Sequence, residues 1–406
     1  MSYLHGIEIK EASSPVIIAE GDTAIIGLVG TAPQGAVGEA KLITSLAAGV
    51  AEFGDDIGGF TIPAALEVIF SHVSAKVLVI NVLSNADASA LLDDGKMILL
   101  NGEWATGIGK STIPETTDYS GEIITALNLL PGLEDSLGLK PNVIIAPGYS
   151  QVAAIAQAMI ANAVKCNGFA VIDIAADTVA AALVARASGD YNMGSAAAVL
   201  CFPRVMRYNS HEEENQPMAL SAFWAAAKAT TDASKGYWFS PSNFELIGVL
   251  SPEIPIRGSL TDYSADTNLL NAQGIVSVLR RSGTGYRTWG NWTSAYPVDQ
   301  TPAAQIAPRA VRMMMREALI DAALNFMDRT VVKMTVELIL NSVNAFVRGL
   351  IGKGAIFTGE CRFEESLNPS ADIAQGKLVF TLTVAYGPSL ERLTFQEVVD
   401  VENYKF

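Results

Sequence analysis

Several stretches of this 406-residue chain place residue types at spacings that chemistry uses. Gly107-Ile108-Gly109-Lys110-Ser111-Thr112 ends as a phosphate-binding loop ends, but such a loop wraps phosphate with successive backbone N–H groups and needs glycine where Trp104 stands. Ser282-Gly283-Thr284-Gly285-Tyr286-Arg287-Thr288-Trp289-Gly290 offers Gly-x-Gly, with Thr288 at the third glycine position of the dinucleotide fingerprint and bulky side chains that suit a packed turn. His211 precedes Glu212-Glu213-Glu214, but only three histidines exist (His5, His72, His211), none at helical or hairpin spacing from another. That leaves no multi-histidine metal shell, no HExxH and almost no material for a Ser/His/Asp triad. No Gly-x-Ser-x-Gly elbow is present either. The expectation is a non-enzyme with no cofactor, no metal and no catalytic residue.

Arg309-x-x-Arg312-x-x-x-Arg316 is a different kind of signal. Spacings of three and four put the three guanidiniums on one helix face, and Pro308 places them in the first turns, where positive charge opposes the helix dipole. Such a face is either solvated or meets an acidic partner. The chain as a whole is acidic, with net charge -15, which argues against binding a nucleic-acid backbone. The charge divides unevenly: residues 276–362 hold 11 Lys/Arg against 6 Asp/Glu, a local +5, which leaves -20 for the rest. Cys166, Cys201 and Cys361 are too scattered for a zinc site or a disulfide framework.

The elements that must position these groups follow from composition and periodicity. Half the residues are hydrophobic and 17% charged, enough apolar material for packed domains, roughly two to three at this length. No uninterrupted apolar run reaches membrane-spanning length and MSYLHGIEIKEASS has no basic segment followed by an apolar one, so a soluble, cytoplasm-folded chain is expected. Apolar β-type runs at Thr23–Gly30, Lys76–Leu83, Asn142–Pro147, Phe169–Ile174 and Ala197–Phe202 alternate with alanine-rich helical stretches at Ile62–His72, Ser120–Leu130, Tyr149–Val164, Thr178–Ala187 and Met218–Ser234. This alternation predicts an α/β layer with a mostly parallel, helix-covered sheet over 19–83 and 120–274. A polar, turn-rich stretch at 84–119 reads as a small β insertion.

From Gly274 the pattern changes to blocks: a strand to Arg280, helices at Ala303–Asp328 and Met334–Ile351, and strands at Ala355–Phe363 and Lys377–Ala385. That predicts a separate α+β domain over 275–389. Both termini read as strand-like arms, 1–18 and 390–406. Tyr3, His5, Ile7 and Ile9 share one strand face at one end, and Leu393, Phe395, Val399 and Val401 share one at the other.

Leu279-Arg280-Arg281, Tyr286 through Thr293, Asn344-Ala345-Phe346, Gly354-Ala355-Ile356, Cys361, Asn368, Gly376-Lys377-Leu378 and Tyr386-Gly387-Pro388-Ser389-Leu390-Glu391-Arg392-Leu393 together resemble the tail sheath subunits of contractile bacteriophages and the related R-type pyocins. The likeness runs from His5-Gly6-Ile7-Glu8-Ile9 to Phe406 in order, and is strongest over 275–395. The tail departs from it: Glu397 to Glu402 is acidic where the family commonly carries basic residues.

The resemblance implies an inner, tube-facing domain at 275–389 carrying a variable outer domain, and homohexameric rings stacked helically around an inner tail tube. Terminal arms would add strands to neighbouring subunits, swinging on hinges at Ser13-Ser14-Pro15 and Gly387-Pro388. Arg309, Arg312 and Arg316 would face the tube protein. Baseplate and tail terminator proteins would be further partners, with no direct nucleic-acid contact and no membrane insertion. The chain would reside in the virion tail after assembly in the host cytoplasm. Two other readings stand beside this one: the sheath of a pyocin-like or secretion-type device, and, in a different class, a Rossmann-like ligand-binding enzyme.

Overall fold

The computed structural model describes Ile18, residues 24–83, the backbone of the short strands at 99–100 and 103–104, and residues 119–399. Tyr3, His5, Ile7, Ile9, Ser13, Ser14, Pro15, Val401 and the Gly107–Thr112 stretch lie outside the described residues.

The strands are β1 (Ile26–Gly30), β2 (Ala40–Ile43), β3 (Val77–Asn81), β4 (Leu99–Leu100), β5 (Glu103–Trp104), β6 (Val143–Ile145), β7 (Phe169–Asp173), β8 (Ala198–Cys201), β9 (Val205–Asn209), β10 (Glu214–Met218), β11 (Val249–Pro252), β12 (Ile275–Arg281), β13 (Gly285–Trp289), β14 (Ile356–Phe363) and β15 (Phe380–Tyr386). The longer helices are α1 (Leu46–Phe53), α2 (Thr61–His72), α3 (Ser120–Leu129), α4 (Ala153–Lys165), α5 (Val179–Ser188), α6 (Leu220–Ser234), α7 (Asp266–Asn271), α8 (Ile306–Leu324) and α9 (Lys333–Gly352).

Eight strands form one sheet in the order β13-β12-β8-β7-β6-β1-β3-β2, parallel except for β2 and β13 at the edges. Strand periodicity sends alternate residues to opposite cores. Ile26, Leu28, Val143, Ile145, Phe169 and Val171 pack under α2 and α6, while Ile144, Ala170, Ile172, Ala198 and Leu200 pack under α3 and α4. The alanines of α6 (Ala222, Ala225, Ala226, Ala227, Ala229) are buried together, so the helix lies close against the sheet. The Asp173 carboxylate at the end of β7 accepts from the Ser221 backbone N–H at 2.9 Å and the Ser150 hydroxyl at 3.0 Å. A buried anion at the first turn of α6 is thereby compensated.

The sheet runs past the expected domain boundary at 275. β12 pairs in parallel with β8, Ile275 opposite Leu200, and its first five residues are buried. A strand apolar on both faces belongs inside a covered sheet, which is why it does not open a new domain. The second packing unit starts at α8. Ile306, Ala310 and Met313 of that helix join the sheet core, whereas Val311, Met314 and Met315 pack with Val343, Val347 and Leu350 of α9 and with Ile356 and Cys361 of β14. By length and composition α9 could cross a membrane; here one face of it covers β14, and Lys333 and Glu337 sit exposed at its start.

His72 closes the C-terminal end of α2. Its Nδ1 donates to the Val68 carbonyl at 2.7 Å and its Nε2 accepts from the Ile247 backbone N–H at 2.8 Å, an arrangement only the neutral ring can make. Burial pushes the imidazole pKa below 6.5. The unfolded chain therefore binds this proton more readily, and the stabilisation is complete above pH 6.5 and lost as pH falls through the lowered folded value. The urea midpoint is expected to drop between pH 6.5 and 5, with a shallower drop in His72→Gln; parallel profiles for the two proteins would contradict the assignment.

Candidate assembly surfaces

The first question for a doubly wound sheet is its switch point, where ligands bind. That place lies between β1 and β6, and protein fills it. Tyr149 is buried there, Thr31 and Thr61 exchange backbone-to-hydroxyl hydrogen bonds, and the Asn81 side chain accepts from Ala32 and Leu83 N–H and donates to the Leu83 carbonyl. The nearby cavity, lined by Thr61, Pro147, Gly148, Arg204 and Arg207, holds about 50 Å³, well below what a nucleotide needs. Its two arginines are already paired, Arg204 with Glu253 and Arg207 with Asp56 and Glu67. Gly283 and Gly285 take positive φ in the hairpin between β12 and β13, so the Gly-x-Gly stretch is a turn. His211 sits in the turn between β9 and β10, and no group of three or more His, Cys, Asp or Glu converges among the described residues.

One set of uncompensated charges lies on α8. Arg312 and Arg316 are exposed and Arg309 half-buried, and none has a carboxylate partner among the described residues. The Arg309 Nε is buried without an acceptor among the described residues. Burial lowers the Arg309 pKa, the charges of Arg312 and Arg316 lower it further, and only the neighbouring Tyr386 phenol opposes them. Three like charges held on one face make a receptor for negative charge. The other side of α8 is satisfied: Glu317 accepts from Lys140 at 3.1 Å and from Asn167 at 2.9 Å, tying the helix to the sheet domain.

Next to Tyr386 stands the two-stranded sheet β14–β15. Asn344 of α9 spans the β14 edge at Cys361, donating to its carbonyl at 2.9 Å and accepting from its N–H at 2.8 Å. The outer edge of β15 has no strand partner among the described residues. Two strands alone are marginal, and an open edge templates a further strand.

The chain then leaves the body. Residues 387–399 form no helix or strand, and Leu390, Leu393, Phe395, Val398 and Val399 are exposed, Phe395 to 88%. Gly387 and Pro388 are exposed too. The Ser389 N–H donates to Gln305 Oε1 at 2.8 Å. Partial burial raises the Glu391 carboxyl pKa, and the nearby Asn291 and Trp292 side chains oppose the rise. The loop that carries Asn291 and Trp292 is stiff. Trp292 stacks on Tyr296 at 4.4 Å, Arg186 donates to the Ser294 and Tyr296 carbonyls, and Gly290 has φ +146° where a Cβ would come within 3.0 Å of the Val276 Cα.

Periodicity gave no hint of this node. Asn291, Trp292, Ser389 and Glu391 all lie in the stretches that carry the family resemblance, which was the available signal.

Two family models match the chain: the phage tail sheath protein central domain over residues 122–294, and the tail sheath protein Gp18 domain III N-terminal region over residues 23–82. The tail sheath protein of Burkholderia phage BcepMu is 32% identical over 470 residues, covering 99% of this chain and 98% of that protein. The chain belongs to the phage tail sheath family.

Across the family the likeness persists at lower identity. The major tail sheath protein of Serratia phage KSP20 is 24% identical, covering 100% of this chain and 97% of that one. The helical sheath of the anti-feeding prophage in its contracted state shares the fold, with a TM-score of 0.70 at 18% identity over 98% of this chain and 100% of that one. Such sheath proteins are structural components of contractile tails and not enzymes, in keeping with a switch point that protein side chains fill. The central-domain match ends at residue 294, between β13 and α8, and so includes β12, the strand expected to open the domain over 275–389.

Proposed function

We propose that this sheath subunit polymerises as stacked hexameric rings around an inner tail tube, and contracts to drive that tube through a host envelope during genome injection. The observation that carries the reading is a pair: an exposed apolar segment at 390–399 that pairs with no strand among the described residues, and a β15 edge with no strand partner among them either. Strand addition joins such surfaces, main-chain bonds giving affinity and alternate side chains giving register. The N-terminal arm, with Tyr3, His5, Ile7 and Ile9, and the C-terminal residue Val401 enter this proposal from their strand period alone.

The unit built on α8, α9 and the hairpin is the inner one, and its Arg309, Arg312 and Arg316 face an acidic tube surface. An extended sheath held by such contacts is kinetically trapped; released at the baseplate, rings compact in sequence while the exchanged strands keep subunits connected. The energy is conformational, so no nucleotide is required. The baseplate and a tail terminator bound the two ends, and the finished subunit resides in the particle's tail after assembly in the host cytoplasm.

Negative-stain imaging of the purified chain at rising concentration tests the class: tubes of cogwheel cross-section are expected, and a monomer at every concentration would end the sheath reading. The basic face is tested by reversal. Arg309→Glu/Arg312→Glu/Arg316→Glu, and the exposed pair Arg312→Glu/Arg316→Glu alone, are expected to abolish co-sedimentation with tube protein while still permitting free sheath tubes. Undiminished co-sedimentation would move the tube contact elsewhere.

A further inference from the structure

A helical polymer of one chain joins unlike patches, because only a two-fold contact pairs a patch with itself. Two unlike patches of opposite charge stand at opposite ends of the eight-stranded sheet. At one end is the tip of the β12–β13 hairpin, where Arg280 and Arg281 are exposed and neither has a carboxylate partner among the described residues. The tip is held in shape. Pairing runs out to Arg281 opposite Gly285, the Thr284 N–H donates to the Arg281 carbonyl at 3.2 Å, and the Arg280 guanidinium lies over the Tyr286 ring, 5.7 Å from its centroid. Asn243 and Leu246 already donate to the Thr288 and Tyr286 carbonyls on the outer side of β13, so a neighbour meets this end through side chains and not through an added strand.

At the other end, α1 is tied to β2 by Lys41 and Glu52 at 3.9 Å. A cavity of about 380 Å³ opens between α1, α2 and the turn from β9 to β10. Leu46, Val50 and Leu66 give it apolar walls, Asp55 and Glu67 give it carboxylates, and His211 leads into Glu212-Glu213-Glu214. Arg207 answers Asp56 and Glu67. Asp55, Glu213 and Glu214 have no lysine or arginine within ion-pair distance among the described residues. Apolar walls with carboxylates at the rim suit arginine, whose stem is apolar and whose planar head donates two hydrogen bonds to one carboxylate.

The two patches do not meet within one subunit. From β13 to β2 is seven interstrand steps, about 34 Å at about 4.8 Å each. Both patches lie beyond the C-terminal ends of the parallel strands: Arg281 ends β12, which runs parallel to β8, and the Thr31–Thr61 hydrogen bonds hold the start of α2 beyond the end of β1. A second copy displaced along the sheet therefore brings the tip of one subunit against the cavity of the next.

We propose that Arg280 and Arg281 at the β12–β13 tip dock in the acidic cavity between α1 and α2 of a second copy of this chain. The contact rests on the reading that the chain polymerises as a sheath, and adds a joint that does not use the terminal strands. Each subunit gives one tip and receives one, so the contact closes as a ring or runs on as a helix. A net charge of -15 keeps copies apart at large, and a local pairing of opposite sign fixes which faces approach.

The test uses the full-length chain and two measurements, the thermal midpoint of the monomer and the critical concentration for sheath formation by light scattering. Arg280→Glu/Arg281→Glu and, separately, Asp55→Lys/Glu213→Lys are each expected to keep the midpoint, since the replaced side chains are exposed. Each is expected to raise the critical concentration about tenfold, because each sets like charges against one another. An equimolar mixture of the two is expected to assemble near the wild-type concentration: the acidic tip of one meets the basic cavity of the other, and the basic tip meets the acidic cavity, in alternation. Mixing does not repair a loss of fold. Should a reversal lower the midpoint, Arg280→Gln/Arg281→Gln carries the test with a smaller rise, about threefold, since it removes charge and adds none. Wild-type critical concentrations in both reversals, or a mixture that assembles no better than its components, would remove this contact and leave the sheath reading standing. A wild-type chain that never polymerises would remove the sheath reading, and this contact with it.

Discussion

Deleting residues 393–406 is expected to abolish sheath formation and to leave the monomer's thermal midpoint within about 2 °C of the full chain. The small effect on the monomer follows from what the segment touches. Leu393, Phe395, Val398 and Val399 are exposed, and the Ser389 hydrogen bond to Gln305 lies upstream of the cut. The large effect on assembly follows from what the same residues gain in a partner. Burying one large apolar side chain contributes about 1.5–3 kcal/mol, so Leu393, Phe395 and Val399 together supply several kcal/mol per joint before any ladder hydrogen bond is counted. Each ring repeats that joint in every subunit, so its loss is multiplied along the polymer. Sedimentation velocity and negative-stain imaging of the truncated chain decide the matter: long tubes would show that subunits join by some surface other than this strand.

The parallel sheet was legible because its physics is local. Fully covered strands need unbroken apolar runs, and Val77–Asn81, Phe169–Asp173 and Ala198–Cys201 were each located to within about two residues by that signal. What is half-covered was not. β2 and α1, at 40–53, bury few of their side chains, and the pairing of β9 with β10 and β11 uses polar residues such as Arg207 and Asn209, so neither period rises above its surroundings. The boundary at 275 failed for a related reason. A change from strict alternation to blocks marks a change in connection and need not mark a change of core: β12 returns to the sheet beside β8, and the new core begins only where α8 turns Val311, Met314 and Met315 away from it.

Of the candidate site residues, the spacing of Arg309, Arg312 and Arg316 predicted one face, and the structure gives that face no carboxylate among the described residues. The hinge at Gly387-Pro388 followed from the family resemblance. Sequence cannot show that Ser389 returns to Gln305, 84 positions earlier in the chain, because a hydrogen bond between distant segments leaves no period.

Asp232→Ala is expected to destabilise the subunit by about 3–5 kcal/mol, the cost of leaving a buried charge without its partner. Lys228 and Asp232 stand one turn apart on α6, each side chain only 3% exposed, with both carboxylate oxygens taking hydrogen bonds from the ammonium. Burial raises the Asp232 carboxyl pKa above the usual carboxylate range, and Lys228 offsets only part of that rise. The pair lines a cavity of about 190 Å³ shared with Met313 and Glu317 of α8, the same seam where Lys140 and Asn167 hold Glu317. An apolar replacement of both partners, Lys228→Met/Asp232→Leu, removes the desolvation cost together with the attraction and is expected to recover most of the loss. Denaturant midpoints of the three proteins separate two cases. A loss near the expected size that the double replacement reverses means the pair is dry and the seam between sheet and α8 is rigid. A loss below about 1 kcal/mol in Asp232→Ala would mean that water entering the cavity solvates Lys228, and that α8 rests on a hydrated, shearable contact where it meets the sheet.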